Sequence, residues 1–120
     1  MSETLIPNIE LFIANIDPFS RLSNELLTRV IGSIKIIYLV QGEQIPFPKK
    51  EKDKYLFIVR TGSVEQISAD GTLRGRLGEE DVFGFSLFSK KEIRYQIKAM
   101  ENTLLYLIPA KIIYDIQSNY

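Results

Sequence analysis

The two side chains that most often carry chemistry, histidine and cysteine, are both absent from this 120-residue sequence. Thiol nucleophiles, disulfides, serine–histidine relays and the common zinc-ligand sets are therefore excluded together. Nucleophile candidates reduce to Ser, Thr, Tyr and Lys, and no pair of carboxylates stands at a motif spacing. Glu79-Glu80-Asp81 falls on a turn and reads as solvated charge. Lys49–Lys54 carries four lysines and reads as a solvated loop rather than a ligand clamp. No metal site is expected. With no recognisable constellation of acid, base and nucleophile, the chain is predicted not to be an enzyme.

Bulk properties narrow the class further. The length suits one domain with one core. Hydrophobic residues make up 45% and charged residues 25%, the balance of a folded globular chain rather than a disordered one. Lys plus Arg and Asp plus Glu each total 15. A phosphate-neutralising basic excess is thus missing, and nucleic acid is not an expected partner. The N-terminus lacks a basic start followed by an apolar core. No apolar run approaches the ~18 residues of a membrane-spanning helix. The expected location is cytoplasmic, with no membrane partner.

The elements that must position any site read in three blocks. Ile9, Phe12, Ile13 and Ile16 recur at helical spacing and predict one amphipathic helix. Asp17-Pro18 breaks it and can restart a helix, with Asp as cap and Pro at the first helical position. Leu22, Leu26, Leu27, Val30 and Ile31 form a second stripe, with Ser23 as a cap and Gly32 as a stop. Each stripe is expected to be core packing. Short strands are predicted over Ile34–Val40, Tyr55–Arg60, Ser63–Ala69, Thr72–Leu77 and Thr103–Ile108, with a short extended piece at Ile45-Pro46-Phe47-Pro48. Asp70-Gly71 is the strongest hairpin signal. Ile93, Tyr95, Ile97 and Ala99 alternate with Arg94, Gln96, Lys98 and Met100, the pattern of a half-buried strand. Pro109 is predicted to open a closing helix that turns Ile112, Ile113 and Ile116 inward. The class is mainly β with flanking α, a small barrel or sandwich.

The turns carry a resemblance as well. Tyr38…Gly42-Glu43, Leu56-Phe57-Ile58-Val59-Arg60-Thr61-Gly62-Ser63-Val64-Glu65, Asp70-Gly71 and Leu77-Gly78-Glu79-Glu80-Asp81-Val82-Phe83-Gly84 stand in order. Ala99-Met100-Glu101-Asn102-Thr103-Leu104-Leu105-Tyr106-Leu107-Ile108-Pro109 follows them. Together they resemble the cyclic-nucleotide-binding domain family, from the first helices to Pro109. The resemblance implies a double-stranded β-helix, a jelly-roll-like barrel over about 34–108. Its helical N-terminus covers about 8–32 and its C-terminal hinge helix about 109–118. It implies a non-catalytic regulatory module.

In that family the segment opened by Gly84 is a phosphate-binding cassette. Backbone N–H groups at a short helix meet the cyclic phosphate, a Glu takes the ribose 2′-OH, and a downstream Arg neutralises the phosphate. The resemblance implies ligand-binding positions at Gly84, Phe85, Ser86, Leu87 and Arg94. Phe85 occupies the Glu position and cannot accept a hydrogen bond. Arg94 stands one position from the family's Arg, so it faces either a pocket anion or solvent. Ser86 can donate to a phosphate or cap a helix. The run Phe83-Gly84-Phe85-Ser86-Leu87-Phe88 is similar to the N-terminal sensor domain of bacterial signalling proteins that continue into CBS and nucleotidyltransferase-like regions. Those downstream domains are implied partners, the chain being a piece of a longer protein. A second copy in a homodimer is a further candidate partner. No cofactor is required; a cyclic nucleotide or related anion is the implied ligand. The alternative function is a structural or protein-interaction domain that kept the barrel and lost the ligand, with Phe85 and Phe88 filling the pocket.

Overall fold

A computed structural model of the chain describes residues 5–45, 54–84 and 95–118, with side chains from Ile9 onward. Helix α1 covers Leu5–Ala14 and buries Ile13, with Ile16 buried in the turn that follows. Asp17-Pro18 breaks the run as predicted but starts only a 3-10 turn, Phe19–Arg21, rather than a full helix. The Asp17 carboxylate is occupied by the Ser20 hydroxyl instead of capping backbone N–H groups. Helix α2, Asn24–Ser33, starts one step later. Ser23 is its cap and accepts from the Leu26 N–H at 3.2 Å, filling one of the unpaired donors of a first turn. Gly32 does not stop this helix, which runs on to Ser33 and turns at Ile34.

Eight strands follow: β1 Lys35–Leu39, β2 Gln44–Ile45, β3 Tyr55–Thr61, β4 Val64–Ile67, β5 Leu73–Leu77, β6 Val82–Phe83, β7 Gln96–Ala99 and β8 Thr103–Pro109. They form two antiparallel four-stranded sheets, β1-β8-β3-β6 and β2-β7-β4-β5. Among the described residues no strand pairs across from one sheet to the other, so the barrel expected from the sequence is not closed. β2 and β6 are edge strands of these sheets. Pro109 closes β8, paired with Tyr55, instead of opening a helix; α3 begins at Ala110 and ends at Ser118.

Two apolar clusters hold these layers together. Phe57, Val59, Leu105 and Leu107 point between the sheets, where they meet Leu39, Val64, Phe83, Ile97 and Ala99. Leu56, Ile58, Tyr106 and Ile108 point the other way, onto Ile13, Phe19, Val30, Ile113 and Ile116. β3 and β8 are thus buried on both faces. That explains their unbroken apolar runs, Leu56-Phe57-Ile58-Val59 and Leu104–Ile108, where alternation would otherwise appear. The second sheet turns a polar face outward, with Glu65 opposite Arg76 and joined to it at 3.2 Å.

The chain changes sheets at corners that are tied to one another. Thr103, fully buried, places its hydroxyl 3.0 Å and 2.8 Å from the carbonyls of Ser63 and Glu101 and accepts from the Ser63 N–H at 3.2 Å. The Gln41 N–H donates to Asn102 Oδ1 at 3.0 Å, and the Gly42 N–H to the Ala99 carbonyl at 2.9 Å. Three corners, at 40–43, 62–63 and 100–102, therefore form one knot.

The β4–β5 hairpin is pinned differently. Asp70 accepts from the Ser68 hydroxyl and from the Thr72 N–H at 3.0 Å. The Ser68 hydroxyl first, then the Thr72 N–H, lowers the Asp70 carboxyl from 3.8 to about 2. A lowered folded-state pKa means this contribution is complete above 3.8 and is lost as pH falls through about 2. A carbon-13 NMR titration is expected to place the Asp70 midpoint near 2, and Ser68→Ala to move it back toward the ordinary value.

Candidate functional site

β6 lies antiparallel to β3, with Phe83 opposite Phe57 and Val82 opposite Ile58. The Phe57 and Phe83 rings stack at 4.9 Å with 7° between their planes. Gly84 then takes the chain off the first sheet, and Tyr95 brings it to β7 of the second. At Gly84 φ is +104°, and a Cβ would lie 2.9 Å from the Tyr55 carbonyl oxygen and 3.3 Å from Phe57 Cδ2. Both conditions select glycine: the backbone is left-handed and it lies against another backbone. Gly84→Ala is expected to destabilise the chain by about 2–3 kcal/mol, read as a lower urea midpoint at an unchanged slope.

Of the positions implied as ligand contacts, Gly84 is described; Phe85, Ser86, Leu87 and Arg94 lie outside the described residues. At the far end of this segment Tyr95, Ile97 and Ala99 pack on the inter-sheet cluster, as the alternation predicts. Gln96 and Lys98 take the other parity, half-buried.

The start of β3 links this segment to the C-terminal helix. Tyr55 and Leu56, against which Gly84 sits, pair with Pro109 and Ile108 of β8. The Ala110 N–H donates to the Lys54 carbonyl at 3.1 Å, so α3 starts on the same backbone. Ile113 and Ile116 of α3 are buried on the helix-facing side. The Arg29 guanidinium of α2 reaches the Asp115 carboxylate at 2.5 Å, a half-exposed pair worth ~1 kcal/mol or less.

Arg60 received no role from the sequence beyond ending a strand. β3 slips register against β8 between Val59 and Thr61, which makes Arg60 a bulged residue. A bulge re-aims its side chain, and here the guanidinium lies 4.3 Å from the centroid of the Phe12 ring. Leu11, Phe12, Asn15, Arg60 and Glu80 line a cleft of about 270 Å³ there. The single charge closing an apolar run was the available signal; the bulge had none. Among the described residues no group of acidic side chains is arranged to hold a metal ion, and no helix is long and apolar enough to cross a membrane.

Solved structures share this fold. The sensor domain of the transcriptional regulator DNR from Pseudomonas aeruginosa superposes with a TM-score of 0.78 at 14% identity, covering 91% of this chain and 80% of that one. The regulatory domain of Toxoplasma gondii PKA, solved with cAMP, gives a TM-score of 0.78 at 18% identity, covering 95% of this chain and 45% of that one. The regulatory subunit of a cAMP-independent protein kinase A from Trypanosoma cruzi, bound to guanosine, gives 0.69 at 18% identity, covering 87% of this chain and 40% of that one. This chain thus spans less than half of either kinase regulatory chain. No curated protein matches it in sequence. The family model described as the cyclic nucleotide-binding domain matches residues 37–120. The chain belongs to that family.

Proposed function

We propose that this domain is the ligand-sensing regulatory module of a bacterial signalling protein. It binds a nucleotide-like anion through residues 84–94 and passes the state of that segment to α3. The observation that carries this reading is the position of Gly84. The residue that opens the segment lies so close to Tyr55 and Leu56 that a side chain there would collide with them, and those two residues pair with the strand end from which α3 starts. A ligand shifts such a module only by binding one arrangement better than the other. Gly84, Phe85, Ser86 and Leu87 supply backbone and hydroxyl donors in this reading, and Arg94 supplies the charge that meets the anion. Output lies in further domains of the same protein, of the CBS and nucleotidyltransferase-like kind. The role is regulatory, and the location that suits it is the cytoplasm.

The test is calorimetry of the chain with a panel of cyclic mono- and dinucleotides. At least one member is expected to bind, and Arg94→Ala to weaken it by about tenfold or more, the loss of one charge-assisted contact. No heat with any member, together with an Arg94→Ala variant indistinguishable from the parent, would overturn the reading.

One observation favours a second function. The space between the sheets next to Gly84 is occupied by the Phe57–Phe83 stack and the side chains around it. With Phe85 in place of an acceptor, the domain then serves as a structural or protein-interaction module, as a monomer or in a homodimer. A cyclic nucleotide panel without effect on thermal stability is the outcome that selects it.

A further inference from the structure

We infer that the outer edge of β1 pairs antiparallel with the β1 of a second copy of this chain, about a two-fold axis at Tyr38. The surface is separate from residues 84–94, and the pairing holds whether or not they bind a ligand.

The two sheets present four edges, at β1, β6, β2 and β5. An edge strand offers unpaired N–H and C=O groups to any strand that arrives, and folded chains blunt such edges with short strands, charges, prolines or bulges. Three of the four are blunted here. β2 and β6 have two residues each. β5 carries Arg74 and Arg76 on either side of Gly75, and its register shifts against β4. β1 has no such device between Ile36 and Val40, and its register with β8 runs unbroken. Its one charge, Lys35, stands at the first position and reaches over the Tyr55 ring at 5.9 Å. Among the described residues nothing pairs with the outer edge of β1.

The side chains of β1 point the same way. Ile36 stands opposite Tyr106 and Tyr38 opposite Leu104, so both lie on the helix-facing side of the sheet. The helices cover Tyr106, 1% exposed, but leave Ile36 at 49%, Tyr38 at 57% and Val40 at 47%. The helical layer stops short of this strand and leaves an apolar row along an open edge.

A second β1 fits that row. Antiparallel pairing with Tyr38 opposite Tyr38 sets Ile36 of each copy against Val40 of the other, so each row covers its equal. The charges agree. Lys35 precedes the row and Glu43 follows it, both exposed, and Glu43 is held in its turn by the Val40 N–H at 2.7 Å. Antiparallel pairing brings the Lys35 end of each copy to the Glu43 end of the other, whereas parallel pairing would set lysine beside lysine. Five paired residues bury less than the ~800 Å² per partner of a standard interface. The dimer is therefore weak and concentration-dependent.

Sedimentation velocity of the 120-residue chain tests the pairing. A monomer–dimer equilibrium is expected, with a dissociation constant of about 100 μM. Tyr38→Lys sets like charges opposite each other and is expected to weaken association about tenfold or more, with an unchanged urea midpoint because Tyr38 is exposed. Tyr38→Glu is expected to do the same. An equimolar mixture of the two variants is expected to dimerise again, since residue 38 then faces its opposite charge. The parent chain supplies a readout that needs no variant: isotope-filtered NMR of a mixed-labelled sample is expected to show contacts between Ile36 of one copy and Val40 of the other. A chain still monomeric at about 1 mM overturns the pairing. So does a dimer that lacks the Ile36–Val40 contacts or survives Tyr38→Lys, which would place the interface elsewhere. A variant mixture that stays monomeric, or open-ended oligomers in place of a dimer, overturns the two-fold register.

Discussion

Gly62→Ala is expected to lower the unfolding free energy by about 3–5 kcal/mol, among the largest effects of any single methyl group in this chain. Two independent costs add there. The backbone is at φ +91°, and the new Cβ would stand 2.5 Å from Thr103 Oγ1, 2.6 Å from the Asn102 carbonyl and 2.8 Å from Thr103 Cα. The first cost is the strain of a side chain on a left-handed backbone. The second is that nothing near can yield. Thr103 is fully buried and its hydroxyl is engaged with Ser63 and Glu101. Pushing it aside releases three chain corners at once and strands buried polar groups. Urea unfolding is the measurement. Gly78→Ala, at a glycine with open space around it, is expected to change stability by less than ~1 kcal/mol. Similar midpoints for the two variants would show that the corner knot does not hold the sheets together.

Tyr106→Ala should have a comparable effect, about 3–5 kcal/mol, as for other buried aromatic truncations. Tyr106 is 1% exposed and among the largest fully buried side chains. It stands on β8 between the sheet and the helices and meets Phe12 edge to face. Removing the ring opens a cavity that the flanking strands cannot fill, because β8 is paired on both sides. Tyr106→Phe keeps the ring and is expected to stay within ~1 kcal/mol of the parent. A second readout separates cavity from position. Phe12 loses its brace, so the Arg60 Nε–H signal is expected to broaden in Tyr106→Ala under conditions where the chain remains folded.

Much of this architecture was legible in the residues. Tyr55–Arg60 and Thr103–Ile108 read as strands, though that both their faces are buried emerged only from the packing, and Asp70-Gly71 pointed to the hairpin that the Ser68 and Thr72 contacts now explain. The ordered glycines pointed to the family, because their positions fix where the chain can reverse or approach itself. The misjudged places were those where tertiary contact overrides a local signal. Pro109 has the fixed φ that suits a helix start, yet pairing with Tyr55 keeps it in the strand. Gly32 suits a helix stop, yet α2 continues because its last turn still packs with Val30 and Ile31. The described strands form two separate sheets rather than the closed barrel expected. Arg60 was invisible as anything but a strand end, since a bulge depends on the partner strand's register. Gly84 does lie close against another backbone, as a glycine at that position suggested.

The junction between β8 and α3 contains no slack. Pro109 is the last paired residue of one and Ala110 the first residue of the other, with the Ala110 N–H bonded to Lys54. A helix joined this way is a rigid arm fixed to its axle. Nine residues give an arm roughly 13 Å long at 1.5 Å per residue. A tilt of about 10° at the strand end therefore carries its tip about 2 Å, enough to unseat Ile116 or part Arg29 from Asp115. A displacement at Tyr55 too small to disturb the sheet is thus magnified at the far end of the helix.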